Sequence, residues 1–348
     1  MSWETVWARS PLQRLCRGLA LGALALAAMA AALPQDAAAA DKVTIGALRF
    51  TSHAPTFIAY ERGYFAEEGI EPELTFFQAA QPIAVAIASG DIDFGITALT
   101  GGFFSLADKG AVKVVGGLYT EHPDHPGMAI MASNQAYEAG LKSPADLAGH
   151  SWAMTQQGSS FHYVAGMISD KYGIPLSEMK LVPLQKVGSM IAAVKSGQVD
   201  AMAMVPHVAV PLDASGAAKI IGWVRDLGDW QVTTIFTSTE NVEQHPDLVK
   251  RFMRAYTRGI ADYEAAMMDQ EKDPAATDAV VDILHKYVYA DRPRDKAAPS
   301  IKAGAVYLSP GAKLDMDSVA VQLDWAKKHG LAPESLTIEK MVAPGFDM

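Results

Sequence analysis

The sequence predicts an α/β protein of two similar lobes, each a doubly wound, mainly parallel sheet. Short apolar strands alternate with amphipathic helices over residues 43–238, and one helix–turn–strand segment occurs twice. From residue 246 onwards the pattern is helical only. We therefore expect two lobes joined by a hinge, with the C-terminal helices packing on the first lobe.

Composition excludes several classes of protein. Half of the 348 residues are apolar, so the chain is long enough to bury one large core or two medium ones. The net charge is −10 and no run of five Lys or Arg residues occurs, which argues against a nucleic-acid partner. A single cysteine, Cys16, excludes a disulfide framework, a thiolate zinc site and an iron–sulfur cluster.

The first forty residues have the order of a secretory signal peptide. Arg9, Arg14 and Arg17 precede an uncharged run over 18–33, and small residues at 37–40 offer a cleavage site. A membrane-spanning helix is the alternative, but the run is short and mostly alanine. We expect removal of residues 1–40, which leaves an acidic, cysteine-free chain suited to an exported compartment.

The predicted elements of the first lobe alternate strictly. Proline begins two of its helices and glycine ends them. The predicted strands are 43–50, 73–77 and 92–98, with helices after each.

The second lobe repeats this order, with predicted strands 151–155, 180–184, 200–205 and 219–224. One further strand is predicted at 232–238, before the sequence changes character. Predicted helices follow at 246–270, around 280–287 and at 315–328.

The repeat links the two halves of the chain. Residues 83–96 align without a gap on residues 190–203, and both segments contain Ser-Gly, then an Asp, then a strand. Asp93 and Asp200 are expected to accept hydrogen bonds from backbone amides at the turn, which is a structural role, not a catalytic one.

Ligands of open α/β sheets bind beyond the carboxyl ends of the strands, where helix N-termini offer free N–H groups. The six loops at these ends contain no Asp or Glu, and Lys186 is their only charge. This composition favours an anion or a neutral polar ligand over a cation. Strand alternation places Arg49 on the face shared with Val43, Ile45 and Ala47, where it could pair with an acid of its own lobe; a clamp for the anionic ligand is the alternative role.

The strongest candidates are hydroxyl groups at helix starts. Ser159 and Ser160 precede a helix and are suited to hold an oxyanion, with an ordinary N-cap as the alternative. Thr100 and Gly101 form the matching position in the first lobe. Trp230 is the candidate for a flat wall against an aromatic or acyl group. The full set of predicted ligand-binding residues is Ser52, His53, Gln78, Gln81, Thr100, Gly101, Ser159, Ser160, His207 and Trp230.

Catalytic and metal motifs are weak or absent. Ser177 and Lys180 satisfy S-x-x-K, but they lie in a polar turn without the accompanying motifs. His122 and His125 are spaced for a metal, yet the neighbouring prolines favour a hinge-like loop. The sequence predicts no enzyme activity, no cofactor and no metal.

Four segments resemble one family. These are APTFIAYERGYFAEEGIEPEL (54–74), AIASGDIDFGI (86–96), SPADLAGHSWAMTQQGSS (143–160) and HPDLVKRFMRAY (245–256). They are similar to periplasmic solute-binding proteins of the sulfonate, taurine and nitrate type, whose fold relatives make or carry the thiamine pyrimidine. The resemblance implies a type II periplasmic binding protein, with lobe 1 formed by 41–127 and 225–348 and lobe 2 by 128–224.

The function that the resemblance implies is capture of a small organic anion, a sulfonate or aromatic carboxylate, in the interlobe cleft. A periplasmic monomer would deliver it to an ABC permease in the inner membrane, which works with a cytoplasmic ATPase. A neutral heterocycle, such as a pyrimidine or flavin precursor, is the alternative ligand. An exported enzyme or a sensor partner is the alternative class. The pyrimidine-forming relatives need a cysteine-rich motif, which residues 41–348 lack.

Overall fold

The computed structural model describes residues 39–346, so the predicted signal peptide lies almost entirely outside the described residues. The strands are β1 Asp41–Ala47, β2 Ile70–Phe76, β3 Phe94–Thr97, β4 Val112–Gly117, β5 Thr120–Glu121, β6 Ala129–Ala132, β7 Ser151–Met154, β8 Lys180–Pro183, β9 Ala201–Met204, β10 Lys219–Trp223, β11 Trp230–Gln231 and β12 Thr234–Ser238. Between residues 39 and 346, no helix combines the length and apolar character needed to cross a bilayer.

The helices connect and flank these strands. They are α1 Ala54–Glu61, α2 Tyr64–Glu67, α3 Gln81–Ala88, α4 Gly101–Asp108, α5 Asn134–Glu138, α6 Ser160–Tyr172, α7 Val187–Lys195, α8 Pro206–Ala214, α9 Thr239–Gln244, α10 Pro246–Met267, α11 Pro274–His285, α12 Arg294–Ala303, α13 Met316–Lys328 and α14 Ile338–Met341. Threonine or serine caps α4 and α6, and proline begins α8, α10 and α11. These residue types are favoured at helix N-termini.

Two five-stranded sheets organise the chain. The first has the order β2-β1-β3-β12-β4 and the second the order β8-β7-β9-β6-β10. In each sheet one strand runs antiparallel to its neighbours: β12 in the first and β6 in the second. Each of these strands directly follows a crossing of the chain from one sheet to the other. The α/β fold with two doubly wound lobes is confirmed.

The repeat extends over the whole of each lobe. The first residues of β3 and β9 are 107 positions apart, and so are those of β4 and β10. The starts of β1, β2 and α3 precede the starts of β7, β8 and α7 by the same number within a few residues. The two sheets therefore have the same strand order because their sequences share one hydrophobic pattern. Strands β4 and β6 complete the two sheets, and neither was predicted from the sequence.

Two short strands carry the chain between the lobes. Glu121 of β5 pairs with Trp230 of β11 in antiparallel register, and Thr120 pairs with Gln231. We call β5, β11 and the loop 122–128 the hinge. The loop contains His122 and His125, whose rings lie 5.0 Å apart and pack against a tyrosine from the C-terminal segment.

The C-terminal helices pack on the first lobe, as predicted. Helix α10 lies along α1 and α2, and Phe252 stacks on Phe94 with 3.7 Å between ring centroids. Arg254 pairs with Glu68 at 2.7 Å at the edge of this contact. Helix α13 also reaches the second lobe, because the Trp325 ring packs directly over Gly166 of α6. Helix α12 was not predicted from the sequence.

Candidate ligand-binding site

A partly enclosed cavity lies between the two sheets, at the carboxyl ends of their strands. Its volume is about 40 Å³, which is room for a few water molecules. Ten of its lining residues are apolar, namely Leu48, Phe50, Ala79, Ala80, Ala98, Met128, Phe161, Val187, Val205 and Val232. Seven are polar, namely Ser52, His53, Thr97, Tyr119, Thr155, Ser160 and Thr233.

The walls of this cavity carry hydroxyl groups but no formal charge. Within residues 39–346, none of the lining side chains is an Asp, Glu, Lys or Arg. Burial of His53 lowers its pKa to about 3, so its imidazole is neutral near neutral pH. The cavity is therefore suited to a largely apolar ligand with a few hydrogen-bonding groups.

The first-lobe wall begins where β1 ends. Ser52 and His53 lie in a single turn of 3₁₀-helix before α1, and both are buried. The Nδ1 atom of His53 accepts a 3.4 Å hydrogen bond from the Leu48 amide, which leaves the ring proton on Nε2. His53 is thereby fixed as a hydrogen-bond donor.

The second-lobe wall includes the start of α6. Ser159 is the N-cap, and its hydroxyl accepts from the His162 amide at 3.3 Å. Ser160 is the next residue and lines the cavity. The sequence could not separate helix capping from a position in the cavity wall. In the structure Ser159 caps the helix and Ser160 lines the cavity.

Direct contacts across the cleft hold the lobes closed. The Gly101 amide, at the start of α4, donates to the Gly158 carbonyl of the second lobe at 2.9 Å. Gln81 and Gln156 form a side-chain hydrogen bond across the same edge. The Gln78 carbonyl accepts from the Val187 amide at 3.5 Å. Gln78, Gln81 and Gly101 thus form the rim where the lobes meet and are not among the residues that line the described cavity.

Thr100 and His207 are committed to contacts within the protein. The Thr100 hydroxyl accepts from the Phe103 amide at 3.1 Å and caps α4. Thr51 Oγ1 donates to the Gly304 carbonyl at 2.9 Å, so its contact at 3.0 Å with His207 Nδ1 requires an N–H on that nitrogen. His207 is buried behind the cavity wall, and burial together with nearby His53 lowers its pKa to about 3.

Trp230, Arg49 and Lys186 also lie away from the cavity. Trp230 is fully buried and donates from Nε1 to Gln322 at 3.2 Å. Arg49 is exposed; its guanidinium lies 3.8 Å from the centre of the Phe76 ring and donates to a backbone carbonyl. Lys186 is exposed at the start of α7. Of the ten predicted binding residues, Ser52, His53 and Ser160 line the cavity, and ligand binding by all ten stays a prediction.

Part of the cavity wall comes from the hinge and was not predicted from the sequence. Tyr119 precedes β5, Met128 ends the loop 122–128, and Val232 and Thr233 follow β11. No local motif marks these residues, because they reach the cavity only through the crossing of the chain. Thr97 and Thr155 also line the cavity and were not predicted. They lie just before two of the six loops that were expected at the carboxyl ends of the strands.

Comparison with known proteins agrees with this architecture. The family described as NMT1/THI5 like matches residues 50–271. The riboflavin-binding protein RibY of Chloroflexus aurantiacus is 28% identical over 214 residues, which are 60% of this chain and 58% of that protein. The chain thus matches less than two thirds of that relative's length.

Solved structures share the fold at low sequence identity. The alkanesulfonate-binding protein SsuA of Xanthomonas axonopodis pv. citri, bound to MOPS, gives a TM-score of 0.70 at 18% identity, over 88% of this chain and 99% of that one. The periplasmic nitrate-binding protein NrtA of Synechocystis PCC 6803 gives 0.67 at 15%, over 87% and 86%.

These similarities and the two-lobed geometry define the class of protein. The chain has the fold of the periplasmic binding proteins, with a cavity where the two lobes meet. The family match spans more than half of the chain and includes segments of both lobes. The chain belongs to the NMT1/THI5-like family.

Proposed function

We propose that this protein is the periplasmic solute-binding component of an ABC importer and that its ligand is a neutral heterocycle, such as a flavin or a pyrimidine. The observation that carries the choice of ligand is the cavity lining, which has no charged side chain in the described chain. A buried anion without a cationic partner loses its hydration at a large cost. A neutral ring loses much less and gains contact with the apolar walls.

The polar groups of the cavity suit such a ring. Thr97, Thr155 and Thr233 supply hydroxyls that donate or accept, and His53 supplies a fixed donor. Phe50 and Phe161 supply flat apolar surface. The likeness to a riboflavin-binding protein supports the same class of ligand.

A small organic anion is the second candidate. Ser160 lies in the first turn of the thirteen-residue helix α6, where free N–H groups and the helix dipole favour negative charge. The likeness to sulfonate- and nitrate-binding proteins is in keeping with this candidate. Binding of an anion requires that the N-terminal end of α6 alone compensates the negative charge of the ligand.

The cavity has room for a few waters and direct contacts join the lobes at its rim, so we infer that a ring system enters when the lobes separate. Rotation about the hinge would break the contact between Gly101 and Gly158 and open the rim. The exported monomer would then close over its ligand and dock on the permease. The proposed role is binding without catalysis: His53 Nδ1 is held by the Leu48 amide and not by a carboxylate, and no Asp or Glu lines the described cavity to orient His53 as a base for Ser52 or Ser160.

Thermal unfolding tests the ligand class. The protein is heated with riboflavin, a hydroxymethylpyrimidine, taurine, an alkanesulfonate, benzoate and nitrate in parallel. A ligand at a hundredfold excess over its Kd stabilises the folded state by about 2.7 kcal/mol, a shift of a few degrees. A shift with riboflavin or the pyrimidine alone supports the proposal. A shift only with the sulfonates, benzoate or nitrate overturns the choice of a neutral ligand.

Recovery of the bound compound tests the absence of catalysis. The stabilising ligand is incubated with the protein, released by denaturation and analysed by mass spectrometry. An unchanged compound in a one-to-one ratio agrees with a binding protein. A product formed in more than one equivalent would identify an enzyme.

A further inference from the structure

Glu121 is a buried carboxyl group at the hinge. It belongs to β5, pairs with Trp230 of the other crossing strand and is 1% exposed. Its Oε1 atom accepts from the hydroxyl of Tyr119 and, at 2.9 Å, from the amide of Met128. Its Oε2 atom has no hydrogen-bond partner among residues 39–346.

The two groups bonded to Oε1 come from opposite sides of the hinge. Tyr119 ends the path of the chain out of the first sheet, and Met128 begins its path into the second, where its carbonyl accepts from Val224. Both residues also line the ligand cavity. One carboxylate oxygen therefore joins a wall residue of each lobe.

The other oxygen has room only because residue 127 is glycine. A Cβ atom on Gly127 would lie 1.9 Å from Oε2, so any side chain there would displace the carboxyl group. Within residues 39–346, Oε2 is therefore buried against the Gly127 backbone and has no hydrogen-bond partner.

Several titratable groups surround this carboxyl. Arg225 lowers the pKa of this carboxyl through both its positive charge and its backbone amide, while its guanidinium donates to the His125 carbonyl at 2.6 Å. Tyr119 and, beyond it, Tyr263 of α10 face it from the first lobe, and His122 follows it in the loop. Burial raises the pKa of Glu121 to about 7, against the lowering influence of Tyr119, Met128 and Arg225.

We propose that Glu121 is a positioning residue that couples the hinge to the ligand cavity: the neutral carboxyl group holds Tyr119 and Met128 together in the closed form, and its ionisation favours opening of the lobes. The physical reason is the unpartnered Oε2 atom. A negative charge there has no hydrogen bond in the closed form, and a rotation that admits water to the hinge supplies one. Opening is thus favoured as pH rises.

The distance between two spin labels tests this coupling without any ligand. Val85 of α3 and Ala192 of α7 are exposed and occupy equivalent positions in the two lobes. Val85→Cys and Ala192→Cys, placed in a Cys16→Ser background, are the only cysteines of the chain. The distribution of distances between nitroxides at these sites reports the fraction of closed protein at pH 5.5 and pH 8.5.

We expect the ratio of open to closed protein to rise about tenfold or more between these pH values. Glu121→Gln, which keeps the shape and the Oε1 acceptor but cannot ionise, should remain closed at both. Asp229→Asn is the matched control, because Asp229 is an exposed acid beside the other hinge strand; it should respond like the parent. A parent distribution that is the same at both pH values, or an equal response in Glu121→Gln, overturns the proposal.

A second variant covers the case in which Glu121→Gln fails to fold. Tyr119→Phe keeps the ring and removes a hydroxyl that bonds Glu121 in the closed form, so the lobes should open at a lower pH than in the parent. An opening midpoint that does not move, or that moves to higher pH, contradicts the coupling. Because no ligand is added, failure of the proposed ligand class leaves this result unaffected.

Discussion

Asp93 and Asp200 occupy the same position in the two lobes, 107 residues apart in the chain. Asp93 Oδ2 accepts from the Thr44 amide at 2.7 Å, and Asp200 Oδ2 accepts from the Ser151 amide at 2.8 Å. In both cases the donor lies 49 residues earlier, in the neighbouring parallel strand: Thr44 is in the middle of β1 and Ser151 begins β7. Each aspartate thus ties the loop before one strand to the parallel strand beside it. The structural role as an acceptor of backbone amides is confirmed, but the donors lie across the sheet and not within the turn.

Asp200→Ala should destabilise the protein without changing ligand affinity. The aspartate accepts from both the amide and the hydroxyl of Ser151, the latter at 2.8 Å. Partial burial raises its pKa, but the bonds from Ser151 and the nearby His150 outweigh this and keep the pKa low. Loss of the acceptor should cost about 1–3 kcal/mol in free energy of unfolding. Denaturant titration measures this; Glu138→Ala, an exposed acid, should change little.

Replacement of the two serines at α6 should separate capping from binding. Ser159→Ala removes the cap and should lower the free energy of unfolding by about 1 kcal/mol. Ser160→Ala should leave stability nearly unchanged but weaken the binding of the ligand found by thermal unfolding, by about 1–3 kcal/mol if its hydroxyl bonds the ligand. Calorimetric titration of both variants decides this. Equal affinity in Ser160→Ala and the parent would remove Ser160 from the site.

Gly166→Ala should disturb the contact of α6 with α13. A Cβ atom at residue 166 would lie 2.4 Å from ring atoms of Trp325, so the two helices must separate. We expect a loss of about 1–3 kcal/mol in stability and a red shift of tryptophan fluorescence as the indole gains water. Gly188→Ala in α7 is the matched control, since a Cβ there meets no atom within 4 Å. Identical spectra for the two variants would contradict the tight packing.

Buried neutral histidine should make the protein acid-sensitive. The folded pKa of His207 is about 3, below its ordinary value of 6.5, so the unfolded chain takes up a proton first as pH falls. The stabilisation is complete above pH 6.5 and is lost progressively between pH 6.5 and pH 3.

His207→Asn tests this histidine directly, because the asparagine amide can donate to Thr51 as Nδ1 does. The difference in free energy of unfolding between pH 7 and pH 5 should shrink by about 1–2 kcal/mol in this variant. Equilibrium unfolding in denaturant at both pH values measures it. His245→Asn, at an exposed histidine, should retain the parent difference. The same pH dependence in both variants would show that His207 does not contribute.

The alternation of strands and helices and the 107-residue repeat could be predicted from the sequence, because both follow from hydrophobic period and turn residues. That Asp93 and Asp200 accept backbone amides was also predicted, but their donors 49 residues away are seen only in the tertiary structure. Strand ends and helix starts in parallel sheets face a common edge, which is why Ser52, His53 and Ser160 were selected from the sequence and line the cavity; their binding of a ligand stays a prediction. Strands β4 and β6 were not predicted from the sequence, because the antiparallel strands that pair with them are distant in the chain.

Which of these residues line the cavity is determined by the tertiary structure alone. Trp230 and His207 have the composition of binding residues, yet the fold buries both against other elements. Tyr119 and Met128 have no distinguishing pattern, yet the hinge turns both towards the cavity. The sequence by itself determined two lobes with a polar, acid-free edge. The antiparallel pairing of β5 with β11 determined which hinge residues complete the walls of the cavity, because the two strands are more than a hundred residues apart in the chain.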